Sequence, residues 1–362
     1  MKISIGSKIV QGPWGGGNLF AINLSNYLKD TGHEVFYDLS DPDLDLILLT
    51  DPRSRSESSS TFNHIEIEKY KKLVNPNVAV VQRINECDER KNTDNINNFY
   101  LNASNVADHV VFVSSWLRNI YVDIGMKKEK TSVILAGANK KIFNKKNIDI
   151  WDGSLPIKIV THHWSSHKNK GFEVYKYIDE MTKDEKWKNK ISFTYIGNLN
   201  NDYEFYNTNI VKPLAGKSLS DELKKHHIYV TASINEPSGN HHIEAAQCGL
   251  PILYTESGGI PEYCNGFGLS FNEDFEEKLT DMISNYNLYV DKLDNYPFNS
   301  DKMCEEFFGL FQKLIYEKQK TKVLFNKGIK GKILLMRNKT INKVRTNFFT
   351  NVQNFLSSIF RR

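Results

Sequence analysis

Several large protein classes are excluded by what this 362-residue sequence lacks. Its four cysteines, Cys87, Cys248, Cys264 and Cys304, are scattered and form no C-x-x-C pair. That pattern argues against a disulfide framework or structural zinc and suits a reducing compartment. No run approaches 18 apolar residues, so no segment is expected to span a bilayer. The opening Met1-Lys-Ile-Ser-Ile-Gly-Ser has no long apolar core and reads as a first strand, not a secretory signal. There is no internal repeat, no nucleic-acid reader motif and no G-x-G-x-x-G spacing. Net charge is only +4, with 40% hydrophobic and 25% charged residues, an ordinary globular balance.

Charge is lopsided all the same. From Lys313 onward there are thirteen Lys or Arg against one acid, Glu317, a balance of +12 that leaves −8 on the first 312 residues. This asymmetry bears on partners.

Apolar strands alternate with amphipathic helices along most of the chain. Strands are expected at 2–5, 34–37, 45–50, 78–82, 110–113 and 132–135, with helices at 19–28, 63–74, 96–107 and 116–124. Residues 53–62, rich in Ser and Arg, read as a mobile loop. A Lys- and Asn-rich stretch at 140–154 reads as a linker, after which the pattern restarts: strands at 157–161, 191–196 and 228–230, helices at 171–181 and 219–225. Repeated βαβ units imply parallel sheets covered on both faces. The fold class is therefore α/β, two Rossmann-like, doubly wound parallel-sheet domains facing across a cleft. The first covers 1–148 and the second 149–299, followed by a helix at 300–320 and a basic amphipathic tail at 321–362.

The densest chemistry lies at Glu236-Pro-Ser-Gly-Asn-His-His-Ile-Glu244, followed by Ala-Ala-Gln-Cys-Gly-Leu-Pro251 and Glu256-Ser-Gly-Gly-Ile-Pro-Glu262. A strand at 228–230 leads into a turn at 236–239, and a helix over 240–248 stops at Gly249 and Pro251. Glu236 then sits on the loop at the strand's carboxyl end, with Glu244 about two helical turns further on. The helix N-terminus behind Ser238-Gly239 offers free N–H groups to a phosphate. A carboxylate on either side could accept hydrogen bonds from sugar hydroxyls.

This stretch resembles the E-x₇-E motif of retaining glycosyltransferases of the GT-B fold, family 4 (group 1). The fixed positions Glu236, Pro237, Gly239, Glu244, Ala245, Gly249, Pro251, Gly258, Gly259 and Glu262 all match. Further similarity runs through 107–118, and through Thr131-Ser-Val-Ile-Leu-Ala-Gly137-Ala-Asn139 with Phe143, where the family's Asn-Gly-Val-Asp is degraded to Ala-Gly-Ala-Asn. The resemblance implies a metal-independent hexosyltransferase with no cofactor beyond its UDP- or GDP-sugar donor. Front-face attack, with the leaving diphosphate helping to deprotonate the acceptor, needs no protein nucleophile. Glu236 would hold hydroxyls of the transferred sugar and Glu244 the ribose. The backbone from Ser238 through Gly239 and Asn240 to His241 would bind the diphosphate together with Lys170. The nucleobase would lie near Gly197 or 212–214.

Three other constellations belong to this reading. Gly15-Gly16-Gly17-Asn18 resembles the family's glycine-rich loop, in which Gly16 and Gly17 let backbone approach donor and acceptor; an ordinary tight turn is the alternative. In Thr161-His-His-Trp-Ser-Ser-His-Lys168-Asn-Lys170-Gly171, Lys170 matches the family's lysine, whereas Ser165 stands where an arginine is usual. Lys168 or His167 would then supply the second positive contact. His162 and His163 diverge at a strand end with no carboxylate beside them, which argues against a metal. In Gln82–Arg90 the sugar-contacting histidine of many relatives is absent, so Asn85, Glu86 or Asp88 takes its place, and Asp88 joins Glu236 and Lys170 in the expected catalytic set; a solvated charged loop is the alternative. The acids Asp41, Asp43 and Asp45 precede a strand and read as turn chemistry rather than a metal motif.

From Ser300 a helix places Met303, Phe307, Leu310 and Leu314 on one face, and the resemblance implies that it braces the first domain. Beyond it, Ile329, Ile333 and Met336 share a face, as do Val344, Phe348, Val352, Phe355 and Ile359, among many basic residues. A basic amphipathic helix reads as binding an anionic membrane surface; packing on the protein or on a partner are the alternatives. The expected partners are a nucleotide sugar, a glycan or lipid-linked acceptor and that membrane, not nucleic acid. The expected place is cytoplasmic, peripheral on the inner face of the membrane. A nucleotide-sugar epimerase and a non-catalytic membrane-surface scaffold of the same fold are the competing readings.

Overall fold

The computed structural model describes residues 1–343 apart from 11, 13, 14, 54–59 and 326. The loop expected at 53–62 lies mostly outside these residues, and so does the second apolar face of the tail.

The first six-stranded sheet contains β1 (Lys2–Ile5), β2 (Glu34–Phe36), β3 (Leu46–Leu49), β4 (Ala79–Ile84), β5 (His109–Phe112) and β6 (Thr131–Val133), all parallel, in the order β2-β1-β3-β4-β5-β6. Its central strands are apolar along β3 and through Val81 of β4, as a sheet buried on both faces requires; Leu46 through Leu49 are wholly buried. The second sheet contains β7 (Ile157–His163), β8 (Ile191–Gly197), β9 (Asn209–Val211), β10 (Ile228–Thr231), β11 (Ile252–Thr255) and β12 (Gly268–Phe271), in the order β12-β11-β10-β7-β8-β9. Counted from its own first strand, this is the 3-2-1-4-5-6 order of a doubly wound nucleotide-binding sheet, which reverses between β7 and β10. Ligands bind such sheets at the carboxyl ends of the strands flanking that reversal.

Helices cover each face. In the first domain α1 (Gly16–Asp30) lies on one side, and α2 (His64–Leu73), the short α3 (Asp88–Lys91), α4 (Ile96–Ala103) and α5 (Ser115–Asp123) follow in sequence. Ile67, Tyr70, Tyr100, Leu117 and Tyr121 fill the core beneath α2, α4 and α5. In the second domain, α6 (Phe172–Met181), α10 (Phe275–Ser284) and α11 (Tyr286–Lys292) close one core, while α7 (Gly216–Leu223), α8 (Asn240–Gln247) and α9 (Ile260–Cys264) close the other.

The helix α12 (Ser300–Lys320) starts at Asn299, whose side chain accepts a hydrogen bond from Lys302 N, and returns to the first domain. Its Met303, Cys304, Phe307, Phe311, Leu314 and Ile315 share a core with α1, β1, β3 and β4. The rings of Phe307 and Phe20 lie 5.1 Å apart, an aromatic pair of about 0.5–1.5 kcal/mol beyond simple burial. Leu310, expected on the buried face, is only half-buried, and Phe311 takes the interior position.

Residues 329–343 are helical. Leu334 and Leu335 pack against the first-domain core, and the Asn338 amide donates to Leu39 O. The face expected for membrane contact points the other way, with Ile329, Ile333 and Met336 exposed. Among the described residues no helix is long and apolar enough to cross a membrane.

Candidate active site

The loop after β10 carries Glu236 into a cleft of about 610 Å3 lined by both domains. The Lys170 ammonium pairs directly with one Glu236 oxygen. From the first domain, Arg90 Nε lies 3.5 Å from the other. Burial would raise the Glu236 pKa, but Arg90 and then Lys170 outweigh it and hold the carboxyl at about 2. Arg90 also reaches Glu86 Oε1 at 3.4 Å. The second positive charge beside Glu236, expected from Lys168 or His167, comes from Arg90 of the opposite domain, a residue that sequence reasoning passed over. Two arginines in the nine residues from Gln82 to Arg90 were the available signal.

Two helix N-termini meet across the cleft. α8 begins behind Gly239, with no side-chain cap and no acid in its first turn. Gly239 has φ +75°, and an added Cβ would lie 2.7 Å from the His241 ring, so the position is glycine's for two reasons. On the other wall α1 begins behind Gly15, again without a side-chain cap or a first-turn acid. Gly16 and Gly17, expected in a turn, form the first residues of this helix; a Cβ on Gly16 would touch the Asn240 side chain at 3.1 Å. The two positive helix ends therefore point into one space, an arrangement that attracts anions.

Glu244 lies on the second turn of α8, with His162 Nε2 3.0 Å from its Oε2. This corrects the expectation that no carboxylate accompanies the paired histidines: the partner comes from 82 residues away. His163 Nε2 is 2.6 Å from the Tyr175 hydroxyl, and His241 Nε2 is 2.8 Å from Thr231 Oγ1. Burial pushes the pKa values of His163 and His241 well below the usual imidazole range, which keeps both rings neutral. Among the described residues no three His, Cys, Asp or Glu side chains are placed to share a metal ion.

Of the residues singled out from sequence, Glu236, Lys170, Gly16, Gly17, Ser238, Gly239, Asn240, His241 and Glu244 line this cleft. Three do not. Asp88 accepts from Thr93 Oγ1 at 2.7 Å and from the backbone of Ile96 and Asn97 at 2.9 Å, so it caps α4. Its carboxylate is committed to structure; Asn85 is the member of that loop's candidate trio that faces the cleft. Lys168 is exposed on the 3-10 turn that also carries Lys170, and its side chain does not line the cleft. Gly197 sits where β8 presses on β7, and a Cβ there would lie 1.9 Å from His163 O; Ile196, Pro213, Leu214 and Gly216 form the cleft wall instead.

Gly259 and the acid after β11 turn out to join the domains. A Cβ on Gly259 would lie 2.2 Å from Pro237 O and 2.6 Å from Ser114 Cβ. The Glu262 carboxylate accepts from Ser115 N at 2.9 Å and Trp116 N at 3.0 Å, capping α5 of the first domain. The Tyr263 hydroxyl donates to Val113 O and accepts from Ala136 N.

Comparison with known proteins agrees with this architecture. Residues 168–286 match the model of a family described as "Glycosyl transferases group 1". A 75-residue stretch is 35% identical to the phosphatidylinositol N-acetylglucosaminyltransferase gpi3 subunit of Schizosaccharomyces pombe, covering 21% of this chain and 16% of that protein. The chain thus matches about one sixth of that curated relative's length. Among solved structures, the sucrose-phosphate synthase of Thermosynechococcus elongatus superposes with a TM-score of 0.61 at 14% identity, over 87% of this chain and 99% of that one. Anabaena HepE, solved with UDP and glucose, gives 0.60 at 13% identity, over 86% and 100%. Likeness at such low identity establishes the fold, which is GT-B.

Proposed function

We propose that this chain, a member of the group 1 glycosyltransferases with the GT-B fold, transfers a sugar with retention of configuration from a nucleotide-sugar donor to a glycan acceptor. The observation that carries the reading is a charged, hydrogen-bonding carboxylate, Glu236, fixed by Lys170 and Arg90 where two uncapped helix ends converge. The diphosphate of a UDP- or GDP-sugar takes the free N–H groups at the start of α8, near Ser238, Gly239, Asn240 and His241. Lys170 neutralises charge as the diphosphate departs. Glu236 accepts hydrogen bonds from hydroxyls of the transferred sugar; at about 2 its pKa keeps it an acceptor at every physiological pH. Glu244, oriented by His162, takes the ribose, and the base lies against the wall at 213–216. The leaving diphosphate assists deprotonation of the acceptor on the same face, without a metal or a protein nucleophile.

The acceptor is lipid-linked or lies at a membrane. Ile329, Ile333 and Met336, exposed beside Lys330, Lys332, Arg337 and Lys339, favour contact with an anionic inner-membrane face.

Glu236→Gln and Glu236→Ala test the site. Removing one member of a buried ion cluster costs about 3–5 kcal/mol, so folding is followed by circular dichroism alongside turnover of a nucleotide-sugar panel. Loss of transfer and of donor hydrolysis in a folded variant is expected. Full activity would refute the assignment, and turnover that needs no acceptor and yields an isomerised donor would identify an epimerase instead.

A further inference from the structure

Arg83 stands near the carboxyl end of β4, on the strand face that carries Ala79 and Val81 toward α1. It is 5% exposed yet lines the cleft. Its guanidinium carbon lies 4.0 Å above the centroid of the Phe20 ring. Among the described residues no carboxylate pairs with it and no acceptor takes its N–H groups. Burial lowers its pKa to about 10, which leaves it charged at neutral pH. Among the described residues the other two arginine or lysine side chains that line the cleft, Arg90 and Lys170, each already pair with Glu236.

A buried guanidinium without an anion is costly to keep, and an aromatic face compensates only part of that cost. What Arg83 faces therefore matters. Phe20 lies on the second turn of α1, so its ring holds Arg83 beside the amino-terminal half of that helix, whose N-terminus carries no side-chain cap and no acid in its first turn. Gly16, Gly17 and Asn85 line the same wall, and a Cβ on Gly17 would come 4.0 Å from the Asn85 amide nitrogen. A fork of fixed N–H donors beside a positive helix end matches the geometry of a phosphate or carboxylate.

We propose that Arg83 and the amino end of α1 form an anion seat on the first-domain wall, which takes a phosphate or carboxylate carried by the acceptor. This rests on the glycosyl-transfer reading of the cleft. The donor diphosphate has its own partners on the second-domain wall, at α8 and Lys170. Arg83 belongs to the opposite domain, where the acceptor enters. A neutral acceptor would leave this guanidinium uncompensated in the closed cleft, so the seat selects for a negatively charged one.

The test uses the full-length protein with Arg83→Gln and Arg83→Lys, and thermal melts monitor folding. Each form is titrated calorimetrically with UDP and GDP, and then, saturated with the nucleotide that binds, with inorganic phosphate or glucuronate in separate arms. One further anion is expected to bind the loaded wild type. Its affinity should fall by about tenfold or more in Arg83→Gln and by less in Arg83→Lys, with nucleotide affinity held within about twofold. A preference for phosphate indicates a phosphorylated acceptor, and a preference for glucuronate indicates an acidic sugar. The proposal is overturned if the wild type binds neither anion or if Arg83→Gln binds them equally well. It is also overturned if that variant loses nucleotide affinity instead, which would assign Arg83 to the donor. If no nucleotide binds the wild type, the glycosyl-transfer reading fails on its own. The anion titrations of the nucleotide-free protein then decide the seat, because only Arg83-dependent binding supports it. Should Arg83→Gln not fold, Arg83→Lys, which loses the bidentate fork, must still weaken the anion severalfold.

Discussion

His242 has both ring nitrogens buried without a hydrogen-bond partner. Its ring packs against Tyr263 and His241, and burial takes its pKa from 6.5 down to about 3. The unfolded chain therefore takes up a proton that the native state refuses. The stability this neutral ring permits is full above about pH 6.5 and declines as pH falls toward 3, by at most about 1.4 kcal/mol per pH unit. His163 and His241 act in the same direction. His242→Gln should flatten the fall in melting temperature between pH 6.5 and 4.5 without abolishing it; an unchanged slope would mean that His242 takes no part. At this scale the sequence revealed residues whose roles are local. Glu236, Gly239 and Glu244 sit on one turn and one helix, so their spacing carries their geometry. The pairing of Arg90 with Glu236 and of His162 with Glu244 depends on how distant strands and domains meet, which no local spacing encodes. Asp88 misled for the same reason: a charged residue after a strand looks free until α4 arrives to claim it.

At the scale of elements, α5 begins with two supports. Ser114 Oγ accepts from Leu117 N at 3.2 Å, and Glu262, from another domain, accepts from Ser115 N and Trp116 N. Glu262→Ala frees two N–H groups at a positive helix end and should lower unfolding free energy by about 1 kcal/mol in urea titrations. Because the cap bridges two domains, the same variant should increase the radius of gyration in small-angle scattering. Lost stability with unchanged dimensions would limit Glu262 to capping. The main strands were legible because they are buried runs between turns. Others escaped for physical reasons: β9 is three residues long with two of them exposed, and α3 is a single turn in a charged segment. Sequence periodicity places the start of α1 three residues late, at Leu19 in place of Gly16, because Gly16 and Gly17 disfavour helix interiors, although an N-terminus tolerates them.

At the scale of the molecule, the helical residues 329–343 follow the packing alternative for this part of the tail and leave one face exposed. One face holds the helix on the first domain through Leu334, Leu335 and Asn338, and the other exposes Ile329, Ile333 and Met336. Ile333→Asp combined with Met336→Asp should leave the docked face intact while reducing co-flotation with phosphatidylserine vesicles by roughly tenfold. Wild-type binding should weaken as salt rises. Undiminished flotation of the double variant would remove this helix from the membrane contact.

The return of α12 has a consequence for how the protein is made. Met303, Phe307, Phe311 and Leu314 form one wall of the core beneath β1, β3 and β4, yet the ribosome delivers them only after the whole second domain. The amino-terminal sheet must wait, with the apolar flank of Phe20 and Leu24 uncovered, until about 170 further residues beyond its last strand have emerged. Synthesis from the amino end cannot finish the domains one after the other. The second domain can complete its core first, and the first domain is sealed last by the far end of the same chain.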